Sequence, residues 1–141
     1  MIAPRVFDVT ERRAQSDEAA AAAWPAVLQR FRSRAGRLET IPWDGDGHAF
    51  LQPRHTSLHV ETLVLRGSVI TSSTLIFAPV HRRGRFAVYQ LDEAAFVVVC
   101  DDEGFGAPYR SDDQSLAVEV CEQWAAEFPQ ANGGPRGHVR A

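Results

Sequence analysis

Apolar positions along this chain follow a helical period near the start and an alternating one through the middle. Between residues 16 and 36, Trp24, Val27, Leu28 and Phe31 stand at i, i+3, i+4 and i+7, which places them in one stripe along a helix. Ser16 precedes the stripe as a capping residue, Asp17 and Glu18 put negative charge in the first turn, and Gly36 is placed to end the helix. Pro25 lacks the amide hydrogen that a helix interior uses, and its ring crowds the preceding turn. The pattern therefore predicts a kink, or two short helices meeting at Trp24. Upstream, RVFDVT at 5–10 alternates in the manner of a short strand.

From residue 37 the period becomes two. RLETIP and HAFLQP read as strands, followed by LHVETLVL, SVITSSTLIFA, RFAVYQL and AAFVVVCD. Arg66-Gly67 reads as a hairpin turn, HRRG at 81–84 as a second turn, and LDE as a third; such short loops imply antiparallel neighbours. The run from Phe96 to Cys100 is apolar on both faces, so it belongs in a sheet interior covered on each side. A closing helix is expected from Ser111 and Gln114, spaced as a capping box, with Ala117, Val120, Cys121, Trp124 and Phe128 as its buried stripe and Pro129 as its stop. The expected fold is α+β: an antiparallel sheet of four to six strands packed against a kinked N-terminal helix and a C-terminal helix. Residues 1–128 read as one domain, and the polar, Gly- and Pro-rich stretch 129–141 as a disordered tail. The order of elements is compatible with helix-grip, profilin-like and immunity-protein-like layouts, a likeness that transmits no function.

Composition narrows the class without naming a reaction. With 141 residues, 45% hydrophobic and 23% charged, the chain matches an ordinary globular domain rather than a disordered or fibrous one. No run approaches the ~18 apolar residues of a membrane span, and the charged start MIAPRVFDVTERRAQ is unlike a secretory leader, so a cytoplasmic location is expected. Cys100 and Cys121 both fall on apolar patterns and read as reduced core thiols. All 15 basic residues are arginine. A GC-rich bacterial coding sequence accounts for that, as does a surface built for bidentate contacts to carboxylate or phosphate. The net charge of −3 argues against strong nonspecific nucleic-acid binding.

Candidate chemistry is sparse. In WDGDGH, taking Asp44 as position 1 of a calcium loop puts Asp46 at 3 but His48 at 5 and His55 at 12, so two of four ligands fail and a turn is expected. In HTSLHVE, strand geometry turns His55, Ser57, His59 and Glu61 to one face, with His59 and Glu61 about 7 Å apart at their Cα atoms. No three-ligand metal site follows from one strand. His55-Thr56-Ser57-Leu58 resembles the His-x-Ser/Thr-Leu tetrapeptide of two-histidine phosphoesterases, but no second copy follows His81 or His138. There is no nucleophile elbow, and Gly104-Phe105-Gly106 lacks the spacing of a phosphate loop. The hydroxyls Thr71, Ser72, Ser73 and Thr74 divide between the two faces of a strand, where they line either a polar pocket or solvent.

Two charge clusters complete the picture. Asp101, Asp102 and Glu103, with Asp112 and Asp113, form an acidic rim if they share one end of the sheet; His81, Arg82, Arg83 and Arg85 make a basic tip. The leading expectation is a small cytosolic, non-catalytic protein-binding protein of the immunity, antitoxin or secretion-chaperone type. It would mask or carry a toxin or secreted effector through these charges, with no cofactor, metal or membrane. The alternative is a small-molecule-binding protein or enzyme with a pocket between the sheet and the C-terminal helix, lined by Trp124 and using His59 and Glu61 as an acid/base pair. Nucleic-acid binding through Arg82, Arg83 and Arg85 ranks third.

Overall fold

The structure, a computed structural model, describes residues 5–35, 40–43, 46–54, 56–102, 105 and 108–131. Contacts group the chain into two compact units, one made of Arg5–Gln52 and His59–Ile76, the other built on Pro53–Leu58 and the chain from Phe77 onward. The α+β class holds, with antiparallel strands and helices packed against them. The strands are divided between two sheets, and each sheet carries its own helix. The link that leads from the five-stranded sheet to the four-stranded one contains Pro79, which cannot donate to a strand ladder.

The first unit runs β1 (Arg5–Arg13), α1 (Asp17–Ala35), β2 (Thr40–Trp43), β3 (Asp46–Pro53), β4 (Leu58–Arg66) and β5 (Val69–Phe77), with spatial order β1-β5-β4-β3-β2. β1 pairs antiparallel with β5, setting Thr10 opposite Ser72 and Arg12 opposite Ile70. α1 is one unbroken helix of 19 residues with Pro25 inside it. Its start is as read: the Ser16 hydroxyl accepts a hydrogen bond from the Ala19 amide at 3.1 Å. Helix formation across the proline is supported by burial, since Val27 and Phe31 pack with Phe50, Leu63 and Ile70, with Trp24 and Leu28 alongside. Each such side chain contributes about 1.5–3 kcal/mol when fully buried. β4 and β5 close through the two-residue turn Gly67-Ser68, where Gly67 takes φ 58°, the left-handed conformation that favours glycine. Asp44 and Gly45 of the expected turn, and Gly36 of the expected helix stop, lie outside the described residues.

The second unit holds β6 (His81–Arg83), β7 (Phe86–Asp92), β8 (Ala95–Cys100), β9 (Tyr109–Ser111) and α2 (Gln114–Glu127), with order β6-β7-β8-β9. As its apolar run implies, β8 is an interior strand, buried from Phe96 to Cys100. Phe86, Val88, Phe96, Val98 and Cys100 form one core with Ala117, Cys121 and Phe128. β6 is a correction to the sequence reading: His81, Arg82 and Arg83 are a strand, and the turn falls on Gly84-Arg85, with Gly84 at φ 60°. The cap of α2 is a second correction. Asp113, not Ser111, is the N-cap, its Oδ1 accepting from the amides of Ser115 at 2.9 Å and Leu116 at 3.4 Å. The Ser111 hydroxyl instead accepts from the Asp113 amide at 3.0 Å. The helix stops at Glu127, and the chain stays packed to Ala131, which is fully buried at φ 61°. The remainder of the expected tail, 132–141, lies outside the described residues. No helix among the described residues is long and apolar enough to cross a membrane.

Candidate functional site

Most charges expected to face a partner are paired within the second unit. His81 on β6 hydrogen-bonds Glu122 on α2 at 2.6 Å, and Arg83 donates through Nε to the other Glu122 oxygen at 2.9 Å. These contacts hold the Glu122 carboxyl below the usual range, the His81 hydrogen bond being the largest cause. Arg85 binds Asp101 at 2.8 Å and reaches Asp102 at 3.6 Å, which raises its own pKa chiefly through the hydrogen bond to Asp101. Arg82 donates to the Tyr89 hydroxyl at 3.2 Å, while burial pushes that phenol's pKa up. The structure thus brings Arg85 together with Asp101 and Asp102, and spends Asp113 on a helix cap. Asp112 is exposed, and Glu103 lies outside the described residues. Glu122, the acid that joins His81 to Arg83, was not singled out in the sequence; its helical position beside the stripe residue Cys121 was the available signal.

The aromatic residues of the C-terminal helix are core. Trp124 sits 5.2 Å from Phe105 and 6.0 Å from Phe86 between ring centroids, and Phe105 lies 5.4 Å from Phe128. Burial pushes the Cys100 and Cys121 thiols up to about 11, and both are free.

The first unit carries a cleft of about 400 Å³ between α1 and the sheet face formed by β1, β5 and β4. Its apolar wall is Val27 and Phe31 from the helix with Leu63 and Ile70 from the sheet; its polar floor includes Thr10, Ser72, Thr74 and Glu61. Alternation on strands accounts for this lining, since Thr10 and Arg12 are two apart on β1 and stand opposite Ser72 and Ile70, themselves two apart on β5. The Thr74 hydroxyl donates to Glu61 Oε1 at 3.0 Å, fixing that carboxylate on the floor. On the opposite face the Thr62 and Ser73 hydroxyls share a hydrogen bond of 2.6 Å. The hydroxyls of β5 therefore divide as strand geometry requires, and those on the α1 side face the cleft.

Arg12 and Arg30 complete the lining. Neither is in a salt bridge with another described residue, so both guanidiniums present donors to whatever enters. Sequence reasoning had picked out Glu61 but neither arginine nor Thr10. Counting from Ile70, opposite Arg12, to Thr74, which binds Glu61, gives four residues, or about 13 Å along β5 at ~3.3 Å per residue; β1 and β4 flank β5, which adds about 10 Å across the strands and sets the Arg12 and Glu61 backbones roughly 16 Å apart. His59 is half-buried two residues from Glu61 on β4, and His55 lies outside the described residues. Trp124 belongs to the second unit and Glu61 to the first. Among the described residues no group of three or more His, Cys, Asp or Glu side chains is placed to hold a metal ion. Comparison of the chain with protein-family models, with curated proteins and with solved structures finds no match.

Proposed function

We propose that this protein binds a small charged organic molecule in the cleft beneath α1, the small-molecule reading with its pocket assigned to the N-terminal helix. One observation carries it: a cleft of about 400 Å³ joins an apolar wall to a pinned carboxylate and to two guanidiniums that make no salt bridge among the described residues. Ligand sites of small molecules have this size and this mixture, apolar walls with a few convergent polar groups. The reading as a masking or carrier protein draws on charges satisfied inside their own unit, as Arg85 is by Asp101 and Arg83 by Glu122, so it accounts for less of the geometry. Glu61 also has the chemistry of a general base, but a binding role requires only its charge.

The test is thermal unfolding of the full chain against a panel of small charged metabolites, beside a Ser72→Trp variant that fills the cleft floor. A ligand at a hundred times its Kd stabilises the native state by about 2.7 kcal/mol. The reading expects at least one compound to raise the unfolding temperature of the wild type and leave the variant unmoved. A silent panel, or equal shifts in both proteins, would refute it.

A further inference from the structure

We infer that the cleft takes a short linear peptide of two or three residues with free termini, its ammonium on Glu61 and its carboxylate on Arg12; this rests on reading the cleft as a ligand site. Three features of the lining converge on that class. Arg12 and Glu61 stand at opposite ends of β5 rather than side by side. Glu61 is held at one end by the Thr74 hydroxyl, and the carboxylate keeps lone pairs for an ammonium group. At the other end Arg12 is exposed on β1 opposite Ile70, with a planar fork suited to a carboxylate.

Length follows from the span. The ends lie about 13 Å apart along β5 and, with β5 standing between β1 and β4, about 10 Å apart across the strands, so roughly 16 Å on the diagonal. A charge-assisted hydrogen bond at each end occupies ~2.8 Å, leaving roughly 11 Å for the ligand if both side chains stand upright, and an extended chain covers ~3.3–3.6 Å per residue. Three residues fill the gap, and two fit when Arg12 leans inward over β5. A free amino acid, with its charges on one carbon, spans too little to engage both ends.

The middle of the cleft matches what lies between the termini of a peptide. Thr10 and Ser72 face each other across the β1–β5 pair and offer hydroxyls to an amide group, while Val27, Phe31, Leu63 and Ile70 offer an apolar wall to a side chain. Arg30 lines the cleft from the helix, a further donor for a peptide carbonyl. A sugar phosphate would use the arginines and hydroxyls but leave Glu61 opposed to its charge and the apolar wall bare. A fatty acid would use the wall and one arginine and leave Glu61 unmatched.

Isothermal titration of the full chain with alanyl-leucyl-alanine, its N-acetylated form, its C-amidated form and free leucine tests the assignment. The free tripeptide is expected to bind at least tenfold more tightly than either blocked form and than leucine. Glu61→Gln should weaken the free peptide about tenfold and leave the N-acetylated one unchanged; Arg12→Gln should do the same for the C-amidated pair. Equal binding of free and blocked peptides, or leucine binding as tightly as the tripeptide, overturns the inference without needing any variant to fold. If tripeptides with alanine, leucine, phenylalanine, serine and aspartate in the middle all fail to bind while another compound stabilises the wild type and not Ser72→Trp, the peptide assignment falls and the ligand-site reading stands. If that panel is silent as well, both fall.

Discussion

Replacing Asp113 by alanine removes the one side chain that closes the N-terminus of α2, and the expected loss can be worked from its contacts. The first four amides of a helix have no partner within it, and Asp113 Oδ1 accepts from two of them, Ser115 at 2.9 Å and Leu116 at 3.4 Å. No acidic residue occupies the first turn, so the carboxylate at the cap is also the charge best placed to meet the positive end of the helix dipole. An N-cap aspartate exchanged for alanine costs about 0.5–2 kcal/mol, and the second, longer bond argues for roughly 1 kcal/mol here. Urea unfolding followed by circular dichroism reads this directly. With a slope of ~1–3 kcal/mol per molar urea, the midpoint should fall by roughly 0.3–1 M. Asp112→Ala, one residue upstream and exposed, should change stability by no more than about 0.5 kcal/mol. Asp113→Asn keeps an acceptor oxygen and should fall between the two. Equal losses for Asp112→Ala and Asp113→Ala would refute the capping argument and return both residues to the role of interchangeable rim charges.

Three further outcomes are expected. Glu122 is held below its ordinary carboxylate range by His81 and Arg83, so its contribution to stability is present above the unfolded-state value of about 4.3 and is lost as pH falls through the folded-state value. Urea midpoints between pH 3 and 7 should show a shallower acid loss in Glu122→Gln than in the wild type; parallel curves would contradict this. With both thiols pushed up to about 11, only roughly one in a thousand of each is thiolate at pH 8, so alkylation of Cys100 and Cys121 should be slow in the native protein and fast in urea. Gly67→Ala should cost more than Gly84→Ala, because each meets about 1–2 kcal/mol of left-handed strain but only the new Cβ at 67 lies 3.3 Å from Asp17 Oδ1; comparison of unfolding midpoints decides it.

How much of the fold was legible depended on how long each pattern ran. The stripe Trp24, Val27, Leu28, Phe31 and the run Phe96 to Cys100 gave a surface helix and an interior strand, because burial on one face or on both leaves distinct spacings. β6 and β9, three residues each, are too short to show alternation; HRR carries no residue that favours strands, and YRS carries only Tyr109. Their pairing is set by neighbours, as His81 is by Val88 and Tyr109 by Val98. Pro25 misled in part because propensity competes with packing. A lost amide hydrogen bond and a crowded turn cost ~3 kcal/mol, comparable with burying one or two of the stripe side chains. The division into two sheets had a signal in Pro79, which looks like loop chemistry until β5 before it and β6 after it are assigned to different sheets.

The cleft was only partly legible, for a reason built into sheets. Alternation assigns polar strand residues to solvent, and by that rule Thr10, Arg12, Ser72 and Thr74 mark an outer face. In the structure that same face is half covered: α1 lies over Leu63 and Ile70 but leaves an open strip beside β1, where the polar residues line a cavity instead of open water. Which strand lies at the edge decides this, and β1 pairs with β5, four strands later in the chain, through a contact that no local pattern announces. Glu61 could be noticed because alternation sets it on one strand face with His59, whereas Arg12 looked like one arginine among fifteen. Its significance comes from standing opposite Ile70, at the far end of the same groove from Glu61, so that two unremarkable charges become the poles of one site.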